Sequence, residues 1–542
     1  MQKPSPVHTL SLDTLEPIFE FAVDSGQTPE EATMIPLTLS HVCSAWRRSA
    51  LRSAPLWTNV LLGVRGDQSL ERATEYLSRS RTLPVCITLD VQGARQEPPG
   101  LKERLRFLSP YAHRLRAFHI RGAATAAPIH RFLRDLDFSL TGLKDFEITW
   151  GKLTKRLARH FPVQFGNDVR PEMLPYHLDF SPHNKFTDLI RFALKAYQHR
   201  LKIEMDQLLE ILGNSPALQR LELEGFYLDF EDDEFYYDDD PDAEKTILQL
   251  PHLQFLSLKQ CSSGAFLPRI DVPAATNVVL VANDPFMLDE DIHAEPPSIL
   301  YALPPHFEEL SFIGKFQTLD FEVRDSSIIL RASQSNGQYL LIEQVLTPDA
   351  FNNTTTEEMV LPSVVGFAND ALGPVESLRA SNRLSEAKRD ILRDADRHEV
   401  KGWLSSMSGL EKLEILHFPL NILEGFAGEE AQERPPMAAK DVTLTLYPNE
   451  CGDFKELKTW IKARAEARLP FEKLEIILDY SVPDTPPVDG ELADSLRSSL
   501  AEHVKDVVVR VLCSPQRPTH RPGRWCYSPV YAYFCNVIRS CF

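Results

Sequence analysis

A six-residue pattern, apolar-x-x-apolar-x-apolar, recurs along most of the chain. It appears as LRAFHI (115–120), LKDFEI (143–148), LQRLEL (218–223), LQFLSL (253–258), FEELSF (307–312), LEKLEI (410–415) and FEKLEI (471–476), with KDVTLTLYP (440–448) as a degenerate copy. The last two apolar residues stand two apart. On a strand they face one side, and the residues between and after them face the other. Helical stripes precede several copies. In MDQLLEILGNSPALQRLELEGF, Leu208, Leu209 and Leu212 mark a helix that Gly213 and Asn214 stop. Helix, turn and strand in repetition predict a parallel sheet with helices outside it. No such unit buries its apolar face alone, so the units must stack.

The spacing is irregular. From residue 115 the copies start 28, 75, 35, 54, 103 and 61 residues apart, where a regular array would step by roughly 20 to 29. LQFLSLKQC fits, through Cys261, the template of the leucine-rich repeats. The expected fold class is therefore α/β: a small all-α module, then a degenerate leucine-rich-repeat-like solenoid of parallel strands with outer helices over 63–512. An α/β domain with no true repeat is the alternative. A length of 542 residues exceeds one ordinary core, and an array growing along one axis accommodates it. YLSRSRTLPVCITLDV (76–91) reads as the first unit.

Charge narrows the partners. The net charge is −19, a field that repels nucleic acid and anionic membrane, so neither is expected as a partner. No stretch approaches the roughly 20 apolar residues that span a bilayer. MQKPSPVHTLSLD lacks the apolar run of a signal peptide, so a cytoplasmic or nuclear location is expected. The eight cysteines form no C-x-x-C pair and read as reduced, mostly buried thiols. NNTTT (352–356) reads as a polar loop, DFEDDEFYYDDDPDAE (229–244) as an acidic insertion without the ligand spacing of a calcium loop, and 385–407 as a charged amphipathic helix. The basic and aromatic tail, 513–542, holds Cys513, Cys526, Cys535 and Cys541 too far apart for a preorganised zinc site. No nucleophile elbow, phosphate loop, zincin motif or dinucleotide fingerprint is present. No catalysis, cofactor or metal is expected.

The first 62 residues have another style. Leu12, Leu15, Phe19 and Ala22 share one helical face, with Ile18 beside them. Asp13 and Glu16 have the form of a capping box, which favours a start at Asp13 and keeps Pro17 near the first turn. Thr28 to Glu31 can begin a second short helix with Pro29 at its first position. Leu39, Val42, Cys43, Trp46 and Ala50 then form one helical stripe, outside which lie Arg47, Arg48 and Arg52. Pro55 breaks that helix, and LWTNVLL looks extended. A module this small buries a poor fraction of its surface alone, so its apolar face should meet the rest of the chain or another protein.

These residues resemble the F-box family, in its fungal form with a long insertion between the first two helices. The match runs through Leu10, Asp13, Leu15, Ile18 and Phe19, then Leu39, Val42, Cys43 and Trp46, then Pro55, Leu56 and Trp57. Ser11 stands where the family has proline, and Pro17 where a helix former is usual. The resemblance covers about one ninth of the chain. It implies that Leu10, Leu15, Ile18, Phe19, Leu39, Val42, Cys43, Trp46, Pro55, Leu56 and Trp57 dock on the Skp-family linker of a cullin–RING ubiquitin ligase, while the array recruits a protein target. A module that only plugs the end of the array, on a stand-alone interaction scaffold, is the alternative. Target contacts are expected on the inner sheet face, at His119, Arg121, Glu222, Glu224 and Lys259, which alternate with the buried positions there.

Overall fold

The computed structural model describes residues 10–26, 28–63, 67–91, 101–123, 140, 142–150, 176–177, 186–196, 201–229, 247–261, 263–282, 303, 310–313, 316–345, 375–383, 409–417, 439–447, 454–466, 471–480 and 490–512. The acidic insertion beyond Asp229, the NNTTT loop, the 385–407 helix and the cysteine-bearing tail lie outside them.

The chain opens with helices α1 (Leu12–Asp24), α2 (Pro29–Val42) and α3 (Ser44–Arg52). Later helices are α4 (Asp67–Arg79), α5 (Leu101–Leu108), α6 (Met205–Gly213), α7 (Ser263–Phe266), α8 (Lys455–Glu466) and α9 (Gly490–Leu500). The strands are β1 (Asn59–Gly63), β2 (Val85–Asp90), β3 (Leu115–Ala123), β4 (Asp145–Trp150), β5 (Tyr176–His177), β6 (Arg191–Ala196), β7 (Leu201–Glu204), β8 (Arg220–Glu224), β9 (Phe226–Asp229), β10 (Leu248–Gln249) and β11 (Phe255–Lys259). They continue with β12 (Ile270–Asp271), β13 (Asn277–Ala282), β14 (Thr318–Arg324), β15 (Ser327–Ser333), β16 (Tyr339–Val345), β17 (Ser377–Arg383), β18 (Lys412–Leu416), β19 (Asp441–Leu446), β20 (Lys473–Asp479) and β21 (Asp506–Leu512).

Sixteen strands form one sheet in the order β1-β2-β3-β4-β6-β8-β11-β13-β16-β15-β14-β17-β18-β19-β20-β21. The remaining five make two small side sheets, β5-β7-β9 and β10-β12. The molecule is thus mixed α/β on a large, mainly parallel sheet. One departure interrupts the parallel order: β15 runs antiparallel to both β14 and β16. Because β13 pairs with β16 and β14 with β17, this three-strand meander sits in the sheet in reverse sequence.

The hexamers explain the strands. LRAFHI, LKDFEI, LQRLEL, LQFLSL, LEKLEI and FEKLEI supply β3, β4, β8, β11, β18 and β20, and the degenerate copy supplies β19. Their last two apolar residues, such as Phe146 and Ile148 or Leu221 and Leu223, are buried on one sheet face with the helices, among them Leu208 of α6, Trp460 of α8 and Leu500 of α9. FEELSF departs from expectation. Its described end, Leu310–Phe312, runs into a turn and joins no strand. Five further copies, WTNVLL (57–62), LIRFAL (189–194), FQTLDF (316–321), VESLRA (375–380) and VKDVVV (504–509), account for most of the irregular spacing, and the degenerate copy takes the full pattern when read from Ala439 as AKDVTL (439–444). Their leading residues Trp57, Leu189, Phe316, Val375, Ala439 and Val504 are all buried. The 75-residue gap after Leu143, for example, splits at Leu189 into steps of 46 and 29.

Left-handed backbone follows three of the strands. Gly225, Gln260 and His417 have φ of 76°, 54° and 59°. Each donates its N–H to a carbonyl of the neighbouring strand: Lys259 at 2.8 Å, Val281 at 2.6 Å and Thr445 at 2.7 Å. At Gly225 a Cβ would lie 1.9 Å from the Ala196 carbonyl oxygen, so only glycine fits there.

Two details of the first helices differ from the sequence expectation. Ser11, not Asp13, caps α1: its Oγ accepts from Thr14 N at 3.3 Å and its carbonyl from Leu15 N at 3.1 Å. A serine cap satisfies the orphan N–H directly, and it leaves Pro17 inside the helix at the loss of one bond. The stripe from Leu39 to Ala50 is broken at Cys43, which is extended (φ −157°, ψ 172°), ends α2 and caps α3 through its sulfur. Thr28 caps α2 as expected, with Pro29 as its first residue and Glu31 N donating to its hydroxyl. β1 runs across the expected boundary after residue 62 and pairs with β2, so the small module leads straight into the sheet.

Candidate functional site

Two surfaces carry the sequence candidates. On the first, the eleven linker-docking residues divide by burial. Leu15, Phe19, Leu56 and Trp57 are buried. Phe19 packs against Trp46 with ring centroids 4.9 Å apart. Trp57 meets Tyr76 of α4 edge-on at 4.9 Å and donates its Nε1–H to the Ala50 carbonyl at 2.8 Å. The Tyr76 hydroxyl donates to the Thr33 carbonyl, and burial pushes that phenol up to about 12. These four side chains hold the module together and join it to α4. Leu39, Cys43 and Trp46 are half-buried, while Leu10, Ile18, Val42 and Pro55 are exposed. Phe21, Met34 and Leu51 are exposed as well, and the sequence reading passed over them because it followed the family's positions.

On the second surface, the register gathers the five target-contact candidates onto one face in two adjacent rows. One row runs Thr88, His119, Glu147, Ala193, Glu222 and Ser257, and the next Asp90, Arg121, Thr149, Lys195, Glu224 and Lys259. A third row, Cys86, Ala117, Asp145, Arg191, Arg220 and Phe255, flanks His119 and Glu222 from the other side.

Arg191 organises this face. Its guanidinium reaches Asp145 at 3.0 Å, Glu147 at 2.6 Å and Glu222 at 3.1 Å, joining β4, β6 and β8. Glu222 also takes Lys195 at 2.7 Å and Arg220 at 2.6 Å, and Arg220 lies 4.0 Å over the Phe255 ring. Burial raises the Glu222 carboxyl, but Arg220, Lys195 and Arg191 outweigh it and hold the group at about 2. Asp145 and Glu147 are likewise held below the usual carboxylate range against their burial, Asp145 by His119 and Arg191, Glu147 chiefly by Arg191. Carboxylates so acidic are poor bases near neutral pH, so the network sets the shape and charge of the face. Sequence alternation could have flagged Asp145, Glu147 and Arg220 within their hexamers. Arg191 and Lys195 sit on β6, whose hexamer went unread.

His119 stands at the edge of this network. Its Nε2 lies 3.3 Å from Asp145 Oδ2, a charge contact out of line for a hydrogen bond, and its Nδ1 lies 4.0 Å from Cys86 Sγ. Burial lowers the imidazole, yet Asp145 and Cys86 prevail and raise it to about 9. Arg121 buries its Nε without a partner. Farther along the same face, Glu322 gathers Arg324 at 2.9 Å, Arg331 at 3.2 Å and Arg383 at 2.9 Å.

Among the described residues no three His, Cys, Asp or Glu side chains converge to hold a metal ion, and no helix is long and apolar enough to cross a membrane. No model of a known protein family matches the chain. A search of the curated proteins finds no match either.

Proposed function

We propose that the chain is a non-catalytic substrate-receptor subunit of a cullin–RING ubiquitin ligase, acting in the cytoplasm or nucleus. An F-box-like module at its start docks on the Skp-family linker, and a degenerate leucine-rich-repeat-like array recruits a protein target on its polar sheet face. One observation carries the reading. Of the ten large apolar side chains exposed among the described residues, six (Leu10, Ile18, Phe21, Met34, Val42 and Leu51) belong to the first 51 residues. The interior of that module is already filled by Leu15, Phe19, Leu56 and Trp57, so these six serve nothing inside it. Covering what remains exposed of each is worth on the order of 1 kcal/mol, and concentration on one small unit is the mark of an interaction site. The receptor then acts by effective concentration, holding a target lysine near a charged conjugating enzyme.

The test is co-purification with the Skp-family linker. The wild-type chain captures it, and Ile18→Asp combined with Val42→Asp abolishes capture without lowering the melting temperature, since both sites are exposed. A wild-type chain that brings down no linker, where a standard F-box protein does, ends the reading. The contact of Trp57 with Tyr76 favours a second reading, in which the module is only an end cap. In that case Phe19→Ala lowers the melting temperature, as removing a core phenylalanine costs about 3–5 kcal/mol, and neither it nor the aspartate pair changes any partner.

A further inference from the structure

Three strands bring a thiol, an imidazole and a carboxylate side by side. Cys86 on β2, His119 on β3 and Asp145 on β4 share the polar sheet face, although 33 and 26 residues separate them in sequence. Nδ1 of His119 faces the Cys86 sulfur at 4.0 Å, the outer reach of a hydrogen bond to sulfur, and Nε2 faces Asp145 at 3.3 Å. Asp145 is itself held by Arg191 at 3.0 Å, which fixes the carboxylate toward the imidazole. A thiol beside an imidazolium that a carboxylate holds in place is an arrangement that activates cysteine.

We infer that Cys86 is a reactive thiol, a site of S-thiolation by low-molecular-weight disulfides, with the His119 imidazolium as the charge that steadies its thiolate and Asp145 as the residue that positions His119.

The other described cysteines supply the contrast. The Cys43 sulfur accepts the Trp46 N–H at 3.4 Å as a helix cap. Cys261 donates to the Lys259 carbonyl at 3.1 Å, and burial pushes its thiol up to about 12. Neither has an imidazolium partner. The surroundings also select the chemistry. Acyl transfer would need N–H donors for an oxyanion, but the parallel ladder uses them: Cys86 N already donates to the Thr58 carbonyl at 2.9 Å. Disulfide exchange needs no such donors. The Cys86 proton leaves to solvent, the thiolate beside the His119 imidazolium attacks one sulfur of the disulfide, and a new S–S bond forms as the old one breaks. The released half leaves as a thiolate and takes a proton from water. Cys86 is oxidised and that half of the reagent is reduced.

The charged groups that face His119 are Asp145 and Glu147 from β4, Arg191 beyond them from β6, Arg121 on its own strand, and Asp90 on β2; Asn59 and Leu61 face Cys86 and Thr88 from β1 without charge. Carboxylates outnumber cations closest to the ring, which favours the imidazolium that pairs with a thiolate.

The test treats the full chain with glutathione disulfide at pH 7 and follows each cysteine by mass spectrometry of its peptide. Cys86 is expected to react about tenfold faster than the same peptide in the urea-unfolded chain, and far ahead of Cys261. His119→Gln is expected to bring the rate down to the unfolded value, and Asp145→Asn to lower it in part. Between pH 8 and pH 6 the wild type should lose less of its rate than His119→Gln does, a difference that a merely structural histidine would not produce. Should His119→Gln fail to fold, the wild-type pH profile decides alone. A Cys86 rate equal to or below that of the unfolded chain, or a pH profile with the slope of a free thiol, overturns the assignment. No linker protein enters the measurement, so its outcome is independent of the docking proposal.

Discussion

Replacing Arg191 with methionine removes the shared cation of three buried or half-buried carboxylates. Methionine keeps the length of the stem, so the lost quantity is charge and its hydrogen bonds. Glu222 is held at about 2 against an ordinary 4.5, which corresponds to roughly 3 kcal/mol of preference for its charged form. Arg220 and Lys195 carry the larger part of that and Arg191 the smaller. Glu147 loses its closest partner, at 2.6 Å, and Asp145 one at 3.0 Å. Removing one member of a buried ion pair costs about 3–5 kcal/mol. With the Arg191 side chain 23% exposed, the expected loss at pH 7 is about 2–4 kcal/mol. The sign with pH follows from the direction of the shifts. Carboxylates held low contribute stability that is present above their unfolded values and lost as pH falls through the folded ones. In Arg191→Met they can protonate near pH 4 and escape the penalty, so the difference from wild type should shrink from pH 7 to pH 4. Urea unfolding followed by circular dichroism at both values measures this. Hydrogen exchange at pH 7 localises it, with lost protection in β4, β6 and β8 and little change in β18–β21, since stacked units feel mainly their neighbours. A loss below about 0.5 kcal/mol at pH 7, or one equal at both pH values, refutes the assignment of Arg191 as the organiser of this face.

Two further outcomes are expected. His119 is raised to about 9; its contribution is fully present below the unfolded value near 6.5 and lost as pH rises through 9, so wild-type stability should fall over that window by on the order of 1–3 kcal/mol and His119→Gln should flatten the slope, as thermal melting across pH 6 to 9.5 would record. Gly225→Ala meets both a left-handed φ and the Ala196 carbonyl; a loss of more than about 1–2 kcal/mol is expected in urea unfolding, whereas Gly337→Ala, with the same sign of φ and open space around it, should lose only the conformational part.

Much of the sheet was legible because burial on one face forces a period of two and the leading apolar residue plugs the turn before each strand. That logic found LRAFHI and LEKLEI. It failed at LIRFAL and VKDVVV, where apolar residues also occupy the open positions and blur the alternation. It failed at VESLRA because alanine makes a weak third anchor. The meander was readable by another signal, the Asn336–Gly337 dipeptide between two apolar runs, with Gly337 at φ 88°. The rows of the polar face were not readable at all. Cys86, His119 and Asp145 become neighbours only through register, and register depends on every connection between them. At the amino terminus the helical period named the apolar residues correctly but not their fate: Phe19 is enclosed and Ile18, one position earlier, stands in water.

The reversed meander has a consequence for how the sheet is assembled. Elsewhere a strand zips onto one that left the ribosome shortly before it. β13 has to wait until β16, more than fifty residues downstream, has been threaded back beside it, and β14 then receives β17. The junction of β13 with β16 therefore joins strands that are not made in succession, and it cannot close before β14 and β15 have been synthesised.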